Sequence, residues 1–436
     1  MKARRLIAAA VAAALVTSIA ACSSGGGGKT QLTIWDPGLL SKVADNGKVD
    51  TQHSFLNKVA AEYEKTHKDV TIKIVETSGD ITKSSAQFQA ASIAKNGPDL
   101  RVSFTGGNTI SYSDFLMNLD GVFPSSTVDN MTGWNTVREG YDPKGKLVAL
   151  PYGAGSYFYV FYNKKMMSDL GIDMSTPPKT WEDLLSLGEK IKAKGKNPFW
   201  VANQEGYVGA WVMAALVGGQ LGSNAFTQMY RGKISIDDSA MVKAYAAYAK
   251  LFSDGLTNPD AGSVSNSDSL TGFAQGKGAM YFSGGWDNSG LEQAMSGDVG
   301  FFPIPMLKGA KYPSTIAGGP NVAVSITSYT KHKEQAEDFL RYLAEPDVIN
   351  QYVKLNQTEA SNNKKSDSSV ITNPLLKAQA AGIKTAKNVV FPFDNVMPQS
   401  TIDLFYKLNA TVFLGTTSAS SAAQQLEAQF TKEGKQ

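Results

Sequence analysis

Aromatic residues next to Asp, Asn or Gly recur where predicted strands and helices end, a pairing suited to carbohydrate. The C–H face of a pyranose packs on a flat ring, whereas its hydroxyl groups need polar partners such as Asp and Asn. A single Trp near a strand end is more often a core residue, but the repetition of the pattern favours a saccharide-binding site. Five stretches show it: Trp35-Asp36-Pro37-Gly38, Phe104 to Asn108, Trp200 to Trp211, Gly285-Trp286-Asp287-Asn288 and Phe391 to Asn395.

The sequence gives little support for a metal site, a nucleotide-binding loop or a catalytic nucleophile. The three histidines, His53, His67 and His332, are scattered, and a single cysteine leaves no Cys pair, so zinc-site spacing is absent. The chain also lacks a P-loop, a G-x-G-x-x-G turn after a strand and a G-x-S-x-G elbow. We therefore expect no metal, no cofactor and no Ser–His nucleophile.

Paired carboxylates leave a second hypothesis open. Asp36, Glu205, Asp287 and Asp394 lie in aromatic-flanked, loop-like stretches, and a cell-surface glycoside hydrolase could use two of them. The sequence does not give their separation, so hydrolysis remains the alternative to capture. Binding of another solute also stays open: an anionic ligand would call for clustered arginines, of which the chain has few, and composition does not exclude a peptide.

Short apolar strands alternate with amphipathic helices, which predicts α/β layers. Residues 31–35 and 69–76 have the pattern of strands, and residues 53–69 have the pattern of a helix between them. Within residues 146–163, two strand-like runs flank the glycine-rich PYGAGS, which is where a two-domain chain would cross between domains.

The N-terminus has the pattern of a secretory signal peptide. MKARR is a cationic start, and the apolar run that follows ends at Ala21, directly before Cys22. The residues from Ile19 to Cys22 resemble the lipobox of bacterial lipoproteins, which implies cleavage after residue 21 and lipid on the Cys22 thiol. Gly and Ser over residues 22–28 then form a flexible tether.

Cleavage at this site removes the basic excess of the precursor. Lys2, Arg4 and Arg5 are the only charged residues before Cys22, so the formal net charge falls from +3 to 0. No basic surplus remains to attract nucleic acid, and we expect no nucleic-acid partner.

Motifs spread from residue 31 to about 345 resemble one known family. In order they are LTIWD, NGPDL, GKLVALPYG, YNKKM, PPKTWEDL, GKGAM, GGW and IAGGPNVAVS. Together they are similar to the sugar-binding lipoproteins of ABC importers, the extracellular solute-binding proteins that include maltose-binding protein.

The resemblance implies a two-lobed, periplasmic-binding-protein-like α/β fold with the ligand in a cleft between the lobes. Each lobe is expected to be a mainly parallel sheet flanked by helices. The implied crossings lie near Gly153–Gly155, Gly319–Asn321 and Phe393–Asn395. The N-terminal lobe would then be 29–153 with 320–392, and the C-terminal lobe 154–319 with 393–436.

The resemblance also implies ligand contacts at particular positions. Asp36 matches a polar residue that reaches the sugar, and Tyr207 and Trp286 match ring-stacking positions with Glu205 as a nearby acid. The family's acid in the SFTGGN loop is missing here, so we assign its place to Asn108. Gly155 stands where maltose binders carry a glutamate, which argues against a maltose-like hydroxyl pattern. The predicted ligand-binding set is Asp36, Lys58, Asn108, Tyr207, Trp211, Trp286, Asp287, Asn321, Phe393 and Asp394.

The function implied by the resemblance is capture and delivery. An oligosaccharide would bind between the lobes and pass to two transmembrane permease subunits served by a separate ATPase. The protein itself would be a non-enzymatic monomer, held by its lipid on the extracellular face of the cell membrane. The Ala-rich leader favours a Gram-positive cell, and the identity of the sugar is not given by the sequence.

Overall fold

A computed structural model describes residues 28–41, 44–45, 48–49 and 54–433 of the 436-residue chain. The predicted signal peptide, Cys22 and nearly all of the tether lie outside these residues. The strands are β1 Thr30–Asp36, β2 Ala44–Asp45, β3 Lys48–Val49, β4 Val70–Glu76, β5 Leu100–Phe104, β6 Leu150–Tyr152, β7 Ser156–Asn163, β8 Phe199–Trp200, β9 Met280–Gly284, β10 Val299–Pro303, β11 Thr315–Gly319, β12 Val322–Ile326 and β13 Asn388–Val390.

The helices surround these strands. They are α1 Phe55–Thr66, α2 Ile81–Ile93, α3 Gly107–Ile110, α4 Ser125–Asn130, α5 Lys164–Asp169, α6 Trp181–Ala193, α7 Tyr207–Leu221, α8 Ala225–Tyr230, α9 Ser239–Ser253, α10 Ser269–Ala274, α11 Asn288–Met295, α12 Lys333–Leu343, α13 Pro346–Asn356, α14 Pro374–Thr385, α15 Phe393–Val396, α16 Gln399–Phe413 and α17 Ala419–Lys432.

Two large sheets define two lobes. The first has the strand order β4-β1-β5-β12-β6, and the second has the order β13-β11-β7-β9-β8 with β10 also paired to β7. In the first sheet β4, β1 and β5 are parallel, whereas β12 is antiparallel to both of its neighbours. The second sheet is mixed, because β7 is antiparallel to β9, β10 and β11. It is therefore less parallel than we expected, although the two-lobed α/β architecture agrees with the prediction.

The antiparallel pairs follow from the way the chain passes between lobes. It leaves the first sheet at Tyr152 and enters the second at Ser156, then returns from Gly319 to Val322. Strands that lead out of a lobe and back into it must run in opposite directions, as β6 and β12 do in one lobe and β7 and β11 in the other.

The two passages touch each other closely. Gly155 has a φ of +85°, and a Cβ at this position would lie 1.4 Å from the carbonyl oxygen of Gly319. Only glycine satisfies both the positive φ and this approach of backbone to backbone. A third segment braces the first passage, since Ala154 N–H donates to Ala360 O (2.9 Å) and Gly155 N–H donates to Glu359 Oε2.

The third crossing lies earlier in the chain than we predicted. We expected it at Phe393–Asn395, but β13 at residues 388–390 already pairs in parallel with β11 of the second sheet. In α14, Leu376 packs in the first-lobe core while Gln379 hydrogen-bonds Asn288 at the start of α11. This helix therefore spans the boundary. Pro392 precedes the short helix α15.

The two lobes have largely separate apolar clusters. In the first lobe Leu32, Phe55 and Phe339 belong to one buried cluster. In the second lobe one sheet face packs on α7, which in turn packs on α9 and α16, and the other face belongs to a cluster with Phe273 and Leu291. Ile110 and Tyr141 of the first lobe also belong to the second-lobe cluster. Among the described residues no helix has the length and apolar character needed to cross a bilayer.

Candidate functional site

A cavity of about 660 Å³ lies between the two lobes, where strands of both sheets end. The first lobe contributes the turn before α2 and the segment after β5, and the passages between the lobes contribute part of the floor. The second lobe contributes α7, the turn after β9, and the region from α15 to α16. The lining residues are Gly79, Asp80, Ile81, Thr82, Phe104, Thr105, Asn108, Ser156, Phe158, Tyr207, Trp211, Trp286, Gly319, Asn321, Pro392, Asp394, Asn395, Gln399, Ile402, Asp403 and Tyr406.

An aromatic wall forms the second-lobe side of this cavity. The ring centroids of Trp211 and Trp286 are 5.1 Å apart, and the Phe158 ring lies 6.1 Å and 5.9 Å from them. Tyr207 and Trp211 are four residues apart on α7, so they share one face of that helix. Tyr207 in turn meets Tyr406 edge to face at 4.8 Å. Such a wall offers flat apolar faces to a sugar ring.

Trp286 is held over the backbone of the strand that precedes it. It lies in the one-turn helix after β9, and a Cβ at Gly284 would come within 2.2 Å of its ring. Glycine at this position therefore leaves room for the indole close to the strand.

A buried carboxylate faces the aromatic wall. Tyr406 Oη donates a hydrogen bond of 2.9 Å to Asp394 Oδ2. Asp394 Oδ1 is fully buried and has no hydrogen-bond partner among the described residues. Burial raises the pKa of Asp394 above its usual value, while the Tyr406 hydroxyl and the nearby N–H groups of Asp394 and Asn395 act in the opposite direction.

Two further aspartates line the cavity. Asp403 Oδ1 accepts a hydrogen bond of 3.0 Å from Gln399 Nε2. Asp80 caps α2 by accepting from Lys83 N–H at 3.1 Å, and its other oxygen lies 3.4 Å from Lys83 Nζ. Burial and the surrounding carboxylates raise the pKa of Tyr207, the carboxylates being Glu205, Asp80, Asp394 and Asp403.

Asn108 is held from behind by a buried arginine. Arg101 donates to Asn108 O at 3.2 Å and to Asn108 Oδ1 at 3.5 Å, while Asn108 Nδ2 donates to Ser85 Oγ at 3.2 Å. The guanidinium lies next to two rings, 4.3 Å from the centroid of Phe88 and 4.8 Å from that of Tyr112. Burial lowers the pKa of Arg101 to about 10, so it remains charged at neutral pH.

A hydrogen bond between two lining residues joins the lobes at the cavity, and Tyr141 and Arg231 make further hydrogen bonds between the lobes. Asn395 Nδ2 donates to Asn321 Oδ1 at 3.0 Å. Asn321 follows the second passage between lobes, and Asn395 lies in α15. This hydrogen bond links a residue of the first lobe to a residue of the second lobe at the cavity.

Six of the residues predicted as ligand contacts line the cavity. They are Asn108, Tyr207, Trp211, Trp286, Asn321 and Asp394. Their gathering in one place is an observation, whereas their contact with a ligand stays a prediction.

Asp36 does not line the cavity. It is fully buried at the end of β1, and its two oxygens accept hydrogen bonds from the N–H groups of Gly38, Leu39, Leu40 and Ser41 at 2.6–3.0 Å. Four donors satisfy the carboxylate, which therefore orders the loop after β1. The predicted sugar contact is replaced by this structural role.

Three other predicted contacts, and Glu205 beside them, also lie outside the lining. Lys58 is exposed on α1, away from the buried face of that helix. Asp287 accepts from Tyr281 Oη at 2.7 Å and from Ser283 Oγ at 2.6 Å. Phe393 is fully buried and packs 4.4 Å from Phe405, and Glu205 accepts from Asn266 N–H at 3.0 Å.

Several lining residues were missed by the sequence reasoning. Gln399, Asp403 and Tyr406 lie within a helix with no tryptophan or glycine beside them, and Asp80 follows Gly79 without an aromatic neighbour. The pattern of an aromatic residue beside Asp, Asn or Gly at the end of an element was therefore absent. Phe158 was read only as part of a strand. A signal for α16 did exist, since Gln399, Asp403 and Tyr406 recur at helical spacing.

Comparison with known proteins identifies the family. Residues 49–349 match the family of bacterial extracellular solute-binding proteins. The chain belongs to this family. The predicted family is thus confirmed, and with it the function of an extracellular binding component for an ABC importer.

Two curated relatives of the chain are named for different ligands. The chain is 25% identical over 315 residues to the multiple sugar-binding protein of Streptococcus mutans serotype c, covering 68% of this chain and 73% of that one. It is 23% identical over 326 residues to the sn-glycerol-3-phosphate-binding periplasmic protein of Brucella abortus, covering 70% of each.

A solved chitin oligosaccharide binding protein shares the fold. The TM-score is 0.79 at 20% identity, with 93% of this chain and 98% of the other covered. At this identity the likeness shows the fold alone, which agrees with the predicted two-lobed architecture.

Proposed function

We propose that this protein captures an oligosaccharide between its lobes and delivers it to two permease subunits of an ABC importer with a separate ATPase. The single observation that supports an oligosaccharide is the aromatic wall of Phe158, Trp211 and Trp286 facing polar groups across one cavity. Solved and curated relatives named for sugars support the same assignment.

The geometry supplies both halves of sugar recognition. The clustered aromatic rings provide an apolar surface for the C–H face of a pyranose, while Asn108, Asn321 and Asp394 offer donors and acceptors for hydroxyl groups. These polar groups come from both sides of the cavity. A ligand that bridges them favours the closed arrangement, and about 5.5 kcal/mol of differential binding inverts a 1:99 population.

The attachment of the protein to the membrane and the assignment of chain segments to the two lobes are also part of the proposal. The signal peptide of residues 1–21, the lipid on Cys22 and the tether of residues 22–28 rest on the sequence pattern alone. With them, a monomer would work at the extracellular face of the cell membrane, and the Ala-rich leader favours a Gram-positive cell.

Calorimetric titration with a panel of neutral oligosaccharides tests the function. We expect one linkage class to bind with heat and without new reducing ends, because the capture mechanism needs no bond cleavage. Trp286→Ala should lose about 2 kcal/mol, as expected for a buried aromatic anchor, which corresponds to about 30-fold in affinity.

The matched control is Trp134→Ala. Trp134 packs on Phe123 in the first lobe and does not line the cavity, so its loss should leave affinity unchanged. A folded protein that binds no oligosaccharide, or that binds equally well without Trp286, would refute the proposal. New reducing ends would instead support the hydrolase alternative.

A further inference from the structure

All of the charged side chains that line the cavity are acidic. Three carboxylates line it, those of Asp80, Asp394 and Asp403, and no Lys, Arg or His side chain is among the lining residues. The charge of Asp80 is offset by Lys83 at 3.4 Å. In the described part of the chain, neither Asp394 nor Asp403 has a cationic nitrogen within 4.0 Å.

The nearest buried cation does not reach into the cavity. Arg101 lies behind Asn108, its donors are used by Asn108 and Ser85, and the rings of Phe88 and Tyr112 lie next to its guanidinium. A ligand in the cavity would therefore meet the neutral amide of Asn108, and the guanidinium would act on it only at a distance.

Asp394 and Asp403 act on the same part of the cavity. Asp394 Oδ2 accepts a hydrogen bond from Tyr406 Oη, and Asp403 lies three residues before Tyr406 on the same helix, α16. Burial and the charges of both carboxylates raise the pKa of Tyr207 and of Tyr406. Asp394 Oδ1 is buried without an aligned hydrogen-bond partner, although the N–H groups of Asp394 and Asn395 lie near this carboxylate. A buried acceptor that lacks a partner in the protein is a costly feature unless a ligand supplies the donor.

We propose that the cavity selects its ligand by charge, with Asp394 and Asp403 binding a protonated amino group on the saccharide. This inference rests on the saccharide-capture function above and names the class of sugar. An ammonium group would supply charge-assisted hydrogen bonds to the carboxylates and would be attracted to the faces of the neighbouring rings. The same carboxylates repel uronic acids and phosphorylated polyols.

Sequence identity to relatives does not tell whether the ligand is a sugar or a phosphorylated polyol. The chain is about as similar to a relative named for sugar as to one named for sn-glycerol 3-phosphate. A site for a phosphate needs donors and positive charge. The lining described here offers acceptors and negative charge instead.

Calorimetry on matched ligands tests the inference. Cellotriose, the fully deacetylated glucosamine trimer, trigalacturonate and sn-glycerol 3-phosphate would each be titrated at pH 6 and low salt. We expect the glucosamine trimer to bind at least about tenfold more tightly than cellotriose and the two anions to show no binding. The preference should shrink as salt screens the charges.

Asp394→Asn and Asp403→Asn should each reduce the ratio of glucosamine-trimer to cellotriose affinity toward one, because each removes a charge and keeps the shape. Asp169→Asn is the control, since Asp169 is an exposed acid on α5 outside the cavity. Thermal unfolding establishes that each variant is folded.

The outcomes separate this inference from the proposed function. If cellotriose binds but the amine gives no gain, or if the variants leave the ratio unchanged, the charge inference is overturned and saccharide capture stands. Binding of sn-glycerol 3-phosphate at comparable affinity also overturns it. If neither cellotriose nor the glucosamine trimer binds, this inference falls, and capture then depends on the wider panel of linkages.

Discussion

At the scale of single residues, Trp286 owes its position to the missing side chain of Gly284. The indole lies so close to the strand that a Cβ there would sit 2.2 Å from the ring, well inside contact distance. Gly284 itself has extended backbone angles, so an alanine is acceptable to the main chain. A substitution there acts on the ring alone.

Gly284→Ala should therefore reduce saccharide affinity by at least about tenfold, about 1.4 kcal/mol, with only a small loss of stability. Titration calorimetry measures the affinity, and thermal unfolding measures the stability. Gly382→Ala on α14 is the control, because a Cβ there meets nothing within 4 Å. Unchanged affinity in Gly284→Ala would mean that the ring position does not matter for binding.

The same sequence pattern led to ligand contacts and to structural residues alike. Trp286 and Asp394 line the cavity, whereas Asp36 and Asp287 are occupied by hydrogen bonds within their own loops. An Asp beside a Trp at a strand end is typical of both roles. The direction of the side chain decides between them, and that direction depends on packing that the sequence does not encode locally.

At the scale of elements, the passages between the lobes are braced by a buried carboxyl group. Glu359 accepts hydrogen bonds from Gly155 N–H and from Tyr352 Oη, and it is surrounded by the rings of Tyr152 and Tyr157. Burial raises the pKa of Glu359 from its usual 4.5 to about 7, against the lowering effect of these two hydrogen bonds.

The sign of the resulting pH dependence follows from linkage. Between pH 4.5 and about 7 the unfolded chain has lost this proton while the folded protein keeps it, so the free energy of unfolding falls as pH rises. Below this window the group contributes no dependence, and above it the loss is complete.

Glu359→Gln should flatten the decline in melting temperature between pH 5 and pH 8, because the amide does not titrate. Calorimetric unfolding of both proteins at several pH values gives the comparison. Glu189→Gln, an exposed carboxylate on α6, should keep the wild-type slope. If Glu359→Gln also keeps that slope, the carboxyl group does not hold its proton in the folded state.

The first passage coincides with a glycine-rich run between two apolar strands, whereas the second was placed by the family resemblance. The third could not be located, since α14 contributes side chains to both lobes and β13 is only three residues long. A short strand without alternation is indistinguishable from a loop until its partner β11 is known. Helix α1, on which periodicity was strong, spans residues 55–66 within the predicted range of 53–69.

At the scale of the whole molecule, two lobes with largely separate apolar clusters enclose one cavity, and this arrangement suits capture followed by release. The lobes are joined by the touching passages at Gly155 and Gly319 and by Ile110 and Tyr141, which pack in the second-lobe cluster. The charge of the cavity then decides which solutes favour the closed form.

The proposed attachment to the membrane also concerns the whole molecule. Cys22→Ala should release the protein into the medium, because a single thiol would carry all of the lipid. Fractionation of expressing cells followed by immunoblotting measures the distribution. Ser24→Ala in the same tether is the control and should remain with the membrane. Retention of Cys22→Ala would count against lipidation.

Hydrogen exchange measured by mass spectrometry tests most directly whether both lobes take part in binding. With a saturating oligosaccharide, we expect slower amide exchange in residues 79–82 and 104–108 of the first lobe. The same slowing should appear in residues 284–288 and 392–406 of the second. Protection of one lobe only, or of segments away from the cavity, would contradict capture between the lobes.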